Sequence, residues 1–409
     1  MSKEFKNFFR AVGNNEGAKC HYPIRLDTYG CGCGHNCSYC YAKSQLSVRY
    51  KWNPFDPSLP DIKKVIRRIK QLEPGQIVRL GGLTDCFQPI EATHRLTYQA
   101  IKAMNEQRVG YLLVTKSAMV ADDLYMDIMD KELAHIQISI TMTDDKTCAK
   151  YESASLPSER IAAIEKLQKA GFDVTVRLSP LIPGMYDPAV INAINCDKLL
   201  VEFLRYDGLI KKWFNIDWSD WSVKDANYGH LPLERKKELL GELTNFKEVS
   251  VCEDCTEHYD YWRDHFNPKP TDCCNLRISE AQHDLNETRR TAEKRLVTKV
   301  RFKLKVTFND GHEICWPNVK NTFMDTIAYA GEDNVRKLGI MRNGCPLVSV
   351  NPQEEVKEAY RAEVLRDKLP NGMYAFCHMS TDAKANLLIE ISEKLNGLFT
   401  VDYCTSENI

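Results

Sequence analysis

The sequence predicts an α/β protein: a partial or full parallel (β/α) barrel followed by a smaller C-terminal α+β domain. Short apolar runs alternate with longer amphipathic stretches from Gln76 to Val251, and polar side chains recur where those runs end. Beyond 297 the pattern changes to period-two alternation around a tight turn. At 409 residues the chain exceeds the length at which one core usually stops growing, so two domains are expected.

The barrel elements follow in order. DTYGC opens the series, and IVRLGG (77–82), GYLLVTKS (110–117), HIQISIT (135–141), DVTVRLSPLIPG (173–184), KLLVEFL (198–204) and EVSVC (248–252) read as buried strands bounded by polar or turn residues. THRLTYQAIKAMNEQ and SERIAAIEKLQKAG read as helices, the second with Ser158 as N-cap and Gly171 at its end. The barrel domain is expected over 1–277 and a charged connecting helix or linker over 278–296. The small α+β domain, 297–409, contains a hairpin around Asn309-Asp310-Gly311, a helix from Val319 to Leu338, short strands near PLVSV and MYAFCHM, a helix from Thr381 to Leu395 and a last strand, LFTVDYC. It shows no recognisable catalytic chemistry.

Composition narrows the function. Hydrophobic residues make up 43 % and charged residues 27 %, the balance of a globular protein. The N-terminal MSKEFKNFFRAV has no apolar signal core, and no run of about eighteen apolar residues occurs, so the cytoplasm is the expected compartment and no membrane partner is expected. Fifty-five Lys and Arg are scattered among 56 Asp and Glu, leaving a net charge of −1. Duplex binding normally needs several cations on one face, so a small-molecule substrate is favoured over nucleic acid. Sixteen cysteines in a reducing compartment point to metal or redox chemistry.

Four of those cysteines lie within TYGCGCGHNCSYCYAKSQL. Cys33, Cys37 and Cys40 have C-x3-C-x2-C spacing, with Cys31 as an extra neighbour. A structural zinc site wants four ligands, commonly two C-x2-C pairs set well apart. Three thiolates in one loop after a first strand instead suit three irons of a cubane cluster whose fourth iron stays open. A zinc knuckle using Cys31 as fourth ligand is the competing reading.

The cysteine loop resembles that of the radical S-adenosylmethionine (SAM) superfamily. TDCFQPIE (84–91), VTKS, SIT and RLSPLIPG look like its spore photoproduct lyase-like branch over roughly residues 25–277, a branch that includes enzymes similar to queuine lyase. The resemblance implies a 4Fe–4S cluster on Cys33, Cys37 and Cys40, SAM as second cofactor, and a reducing partner such as flavodoxin or ferredoxin. It implies SAM contacts from Tyr39, from the glycine pair Gly81 and Gly82, and from Lys116, Ser139, Arg177 and Ser179. Leu83 stands where the family commonly has an acidic residue, which brings Thr84 or Asp85 forward as the amino contact.

A second cysteine group, CEDCTEHYDYWRDHFNPKPTDCC, contains Cys252, Cys255, Cys273 and Cys274. It reads either as an auxiliary metal site or as a place where Cys252, ending a barrel strand, faces the cavity as a hydrogen-donating thiol. Asp85, Glu91, Glu202 and Asp254 are acid–base candidates, and Phe87, Tyr206, Trp213 and Tyr228 are candidates to stack on a planar base. The functional expectation is an enzyme forming a 5′-deoxyadenosyl radical from SAM, a lyase breaking a C–C or C–N bond in a nucleobase-like small molecule such as queuine. The alternatives are a DNA photoproduct repair lyase, a methyltransferase-like or peptide-modifying radical SAM enzyme and, in another class, a non-catalytic zinc-binding regulator or scaffold.

Overall fold

The computed structural model describes residues 5–10, 20–47, 52–270, 272–286, 303–342, 344–356, 365 and 367–404. The chain divides into two compact units, one built on Phe5–Ser44 and Asn53–Leu296, the other on Val297–Ile409 with Gln45–Trp52 and Met1–Glu4. Among the described residues no helix is long and apolar enough to cross a membrane.

The first unit is built on an eight-stranded sheet. Its strands are β1 (Phe8–Arg10), β2 (Ile24–Leu26), β3 (Ile77–Leu80), β4 (Gly110–Thr115), β5 (Ala134–Ile140), β6 (Asp173–Leu181) and β7 (Lys198–Phe203). A hairpin of β8 (Val223–Asp225) and β9 (Tyr228–His230) intervenes before β10 (Glu248–Val251), which completes the sheet beside β7. The sheet order is β1-β2-β3-β4-β5-β6-β7-β10, all parallel except the antiparallel β1–β2 pair. Among the described residues β10 pairs only with β7, so the barrel is partial.

Side-chain alternation along these strands makes the two faces chemically different. Val78, Leu80, Tyr111, Leu113, Ile136, Ile138, Ile140, Val174, Val176, Leu178, Leu199 and Val201 lie in the main hydrophobic cluster with the covering helices. The intervening residues carry the polar set: Arg79, Gln137, Ser139, Thr175, Arg177 and Ser250, all nearly fully buried. Buried hydrophilic side chains on one face of a parallel sheet mark a lined cavity, because a packed interior would leave them unsatisfied.

Several boundaries differ from the expectation. The opening strand is Ile24–Leu26, so DTYGC begins after it. The first long helix is broken at Arg95 (φ 50), giving Glu91–His94 and Leu96–Gln107. Ser158 is not an N-cap: the helix runs Pro157–Lys169, Leu156 occupies the cap, and Ser158 Oγ pairs with Asp145 at 2.7 Å. Proline's fixed φ suits the first helical position, which moves the start back one residue.

In the second unit, Lys303–Phe308 and Glu313–Ile314 form the expected hairpin, and Lys303–Phe308 also pairs antiparallel with Phe399–Cys404. The helix expected from Val319 to Leu338 is two helices, Val319–Ala330 and Glu332–Lys337, separated by Gly331 at φ 88. Val348–Ser349 pairs with Tyr374–Ala375, and Thr381–Lys394 packs Leu387, Leu388 and Ile391 into a separate core with Leu304, Phe323 and Ile327. The expected linker is helical from 280 to 286; its remainder, 287–296, and the start of the 297–409 domain lie outside the described residues.

Candidate active site

The carboxyl ends of the parallel strands converge on one cavity. It is lined by Cys33, Cys37, Tyr39 and Cys40 from the loop after β2, by Gly81, Gly82, Thr84 and Asp85 after β3, and by Lys116, Ser139, Arg177 and Ser179 from the next three strand ends. Cys33, Cys37, Cys40 and every SAM-contact candidate read from the sequence therefore line one cavity. Cys252 lines a smaller adjoining cavity instead, whose wall shares Arg79, Glu202 and Arg205 with the larger one.

Local backbone chemistry shapes the cysteine loop. Gly32 passes so close to Asn53 that a Cβ there would lie 1.9 Å from the Asn53 carbonyl oxygen. Asn36 adopts φ 41, and its N–H donates to Cys33 O at 3.0 Å, closing the turn between the first two candidate ligands. Gly34 N–H donates to Gln88 Oε1 at 2.8 Å, and Ser153 N–H to His35 O at 2.7 Å. Cys31 lies apart from the cavity wall: its carbonyl accepts from Asn53 N–H at 2.8 Å, and its thiol bonds Ser58.

The donor set fits a cluster better than a single ion. Among the described residues only His230, Glu253 and Asp254 bring three ligand atoms within 4.8 Å of one another, so the Cys33, Cys37 and Cys40 sulfurs are spread more widely. One tetrahedral zinc would draw its thiolates closer than that, whereas separate irons of one cubane hold them apart. Burial raises all three thiols, and Cys33 and Cys37 are raised further by neighbouring thiols and carboxylates. Such a group stays ionised only beside compensating positive charge. The His230–Glu253–Asp254 set is already charge-balanced, since Lys236 Nζ pairs with Glu253 at 2.5 Å and Arg205 pairs with Asp254.

Asp85 ties the site together. Its Oδ1 accepts from Phe87 N–H at 2.8 Å and Thr115 Oγ1 at 2.7 Å; its Oδ2 accepts from Lys116 N–H at 2.7 Å and meets His35 Nδ1 at 3.2 Å. Burial pushes its carboxyl up, but His35 and these donors outweigh it and hold the group below the usual carboxylate range. Four partners give Asp85 a holding geometry, with the proton-accepting positions already taken.

Lys116 extends across the cavity. Its Nζ donates to Thr141 Oγ1 at 2.7 Å and Ser179 O at 3.0 Å, and lies 3.4 Å from Glu152. Burial, assisted by nearby Arg160, pushes its ammonium down to about 8. Glu152 is fully buried and also binds Arg160 and the Tyr39 hydroxyl, which fixes the Tyr39 ring at the cavity wall. Opposite, Glu202 accepts from Arg177 and from Ser179 Oγ at 2.8 Å.

Other candidates are used structurally. The Thr84 hydroxyl donates to Tyr29 O, and its N–H donates to Asp27 Oδ1 at 3.2 Å. Glu91 is not an acid–base group at the cavity: it accepts from Tyr29, from Thr97 and Tyr98 N–H, each at 3.0 Å, and from Tyr125 at 2.7 Å. Phe87 is fully buried against Tyr125, and Tyr206 packs on Trp218, so neither faces a ligand. Tyr41 and Phe203 are the aromatic residues that join Tyr39 in the lining. Cys255 caps the Thr256–His265 helix and does not line the cavity of Cys252. His35, Arg79, Glu152 and Arg205 were not foreseen. Arg79 was legible as a lone cation inside an apolar strand, and His35 as the polar residue within the cysteine loop; Glu152, in a loop, carries no such signal.

Residues 28–195 match the model of the Radical SAM superfamily, and the cofactors of that family are a 4Fe–4S cluster and SAM. Among particular relatives, an uncharacterised protein of Mycobacterium tuberculosis is 25 % identical over 180 residues, covering 40 % of this chain and 52 % of that protein. An uncharacterised protein of Acidianus two-tailed virus is 23 % identical over 169 residues, covering 38 % of this chain and 55 % of the viral one. The chain thus spans about half the length of the relatives it matches. A solved spore photoproduct lyase variant aligns over 61 % of this chain and 79 % of its own, at 16 % identity and a TM-score of 0.45.

Proposed function

We propose that the protein is a radical SAM enzyme, a lyase acting on a nucleobase-like small molecule, in the spore photoproduct lyase-like branch. The observation that carries the reading is the convergence of Cys33, Cys37 and Cys40 with the strand-end polar residues on one cavity, within the stretch that matches the Radical SAM superfamily. Cys33, Cys37 and Cys40 hold the cluster, leaving the cavity side for SAM. When bound, these groups supply one-electron reduction and a hydrogen-abstracting radical.

The chain's own residues bind, orient and exclude water. Lys116 and Arg177 offer cations suited to a carboxylate, Ser139 and Ser179 offer hydroxyls suited to a ribose, and Tyr39 presents a ring face held by Glu152. Gly81 and Gly82 leave room at the β3 edge for close approach of a ligand. Thr84, whose N–H and hydroxyl are held by Asp27 and Tyr29, contributes by its main-chain carbonyl, and Asp85 by positioning Lys116 and His35. Cys252, beside the shared wall, is the thiol assigned to return a hydrogen atom. Tyr41 and Phe203 give a planar substrate something to pack against, and the net charge of −1 favours a small molecule over the alternative, a DNA photoproduct. Sixteen free cysteines suit a reducing, cytoplasmic setting with a flavodoxin- or ferredoxin-type reductant.

The test is anaerobic reconstitution with iron and sulfide, then reduction with SAM present. A brown protein that releases 5′-deoxyadenosine, with both properties lost in Cys33→Ala, is the expected result; a colourless protein holding stoichiometric zinc overturns it. A substrate panel of queuine, a spore-photoproduct dinucleotide and a test peptide then separates the small-molecule, DNA and peptide readings.

A further inference from the structure

The smaller cavity contains Cys20, Cys252 and Cys273 in its lining. Cys252 continues β10: its N–H donates to Val201 O at 2.9 Å, which sets it beside Glu202 on the polar face of the sheet. Cys273 lies on a pinned turn. Leu276 N–H donates to Asp272 at 2.9 Å, Lys198 Nζ to Asn275 O at 3.2 Å, and Gln137 Nε2 to Cys274 O at 3.4 Å. Two anchored backbones thus bring the Cys252 and Cys273 thiols together at one cavity wall, with Cys274 on the other side of Cys273.

We propose that Cys252 and Cys273 form a redox-active dithiol–disulfide pair in the wall beside the active-site cavity, exchanging with small-molecule disulfides. Cys252 is the attacking group. Against burial and Glu202, the Arg177 and Arg79 guanidiniums favour its thiolate, whereas Cys273 lies beside the Cys252 and Cys274 thiols, which disfavour its ionisation. In the first step the Cys252 thiolate attacks one sulfur of the incoming disulfide, breaking that S–S bond and releasing one thiolate. In the second, Cys273 attacks the mixed disulfide at the Cys252 sulfur, forming the internal S–S bond and releasing the second thiolate. The two protons lost by Cys252 and Cys273 end on the two released thiols, so the pair is oxidised by two electrons and the small disulfide reduced by two.

The neighbouring cysteines are poorer partners. Cys274 is 2 % exposed inside an apolar cluster with Tyr22, Leu112 and Leu276, out of reach of an exchange partner. Cys255 lies outside this cavity. Among the described residues the Cys20, Cys252 and Cys273 sulfurs do not all three lie within 4.8 Å of one another, as a single bound metal ion would require.

The experiment treats the reconstituted full-length protein with oxidised glutathione, then maps thiols by alkylation and peptide mass. A Cys252–Cys273 cross-linked peptide, lighter by two hydrogens and removed by dithiothreitol, is expected. In Cys273→Ser the reaction stops at glutathionylated Cys252; in Cys252→Ser Cys273 stays unmodified. The wild-type protein alone decides the matter if a variant folds poorly, because Cys252 should alkylate at least roughly tenfold faster than Cys274 before oxidation. Failure to form the cross-link, a cross-link to Cys20 or Cys274 instead, or metal protecting Cys252 and Cys273 from alkylation overturns the proposal. None of these readouts depends on SAM cleavage, so the pair and the proposed enzymatic function fail separately.

Discussion

At the scale of single residues, the cysteine loop separates three side chains from a fourth that the spacing had already set apart. Cys31 turns to Ser58 and away from the cavity lined by Cys33, Cys37 and Cys40. Cys31→Ala is expected to keep the reconstituted iron content and visible absorption, and alanine at any of the other three to abolish both. Asp27 gives a second residue-level prediction. It is completely buried, and although Leu83 and Thr84 N–H groups lower its carboxyl, burial dominates and pushes it up to about 6. A folded-state value above the unfolded one means the protonated carboxyl stabilises the fold at low pH, and that contribution disappears as pH rises through about 6. Asp27→Asn, which keeps an acceptor for the two N–H groups, should therefore gain about 1 kcal/mol relative to wild type between roughly pH 5 and 7. Urea unfolding at both pH values checks it; an unchanged difference counts against the assignment.

At the scale of elements, strand positions were legible because a buried parallel strand is a short apolar run, whereas helix ends were less so. Arg95 enters the left-handed region without a glycine or proline to announce it, and Pro157 displaced Ser158 as the start signal. Gly331, by contrast, carried a visible break that the amphipathic pattern on both sides obscured. The end of β3 yields a paired prediction. Gly81 has φ 78, and a Cβ there would stand 2.0 Å from Val114 O, whereas a Cβ at Gly82 meets nothing nearer than Arg25 Cδ at 3.5 Å. Gly81→Ala should cost more than about 2 kcal/mol, while Gly82→Ala should stay within about 1 kcal/mol and act on SAM affinity instead. Equal losses in thermal unfolding would show that the β3–β4 approach is not the constraint.

At the scale of the whole molecule, the main cluster around Leu113, Ile138 and Val176 and the C-terminal cluster around Phe323 and Leu388 share no residue. Two cores of this kind should melt as two calorimetric transitions, with Phe323→Ala lowering only one, by about 3–5 kcal/mol at its core. A single transition shifted as a whole would contradict the division. The site itself was legible to the extent that its residues end strands: Lys116, Ser139, Arg177 and Ser179 are polar interruptions of apolar runs. Glu152, behind the lining, and Arg205, in it, were not, because what fixes them is the partnership with Tyr39 and with Asp254, each across many intervening residues.

The four-way bracket around Asp85 divides the cavity wall for anyone wishing to alter its substrate preference. Asp85, Lys116, Glu152 and Tyr39 are cross-linked through shared partners, so exchanging one of them shifts the others and disturbs the cofactor end of the cavity. Leu83 and Phe203 line the same cavity with side chains that hold no such hydrogen bonds. Variation introduced at Leu83 reshapes the chamber with less cost to the scaffold than at Phe203, whose ring packs on Trp262 and under Lys236, and Leu83 is where libraries aimed at new substrates belong.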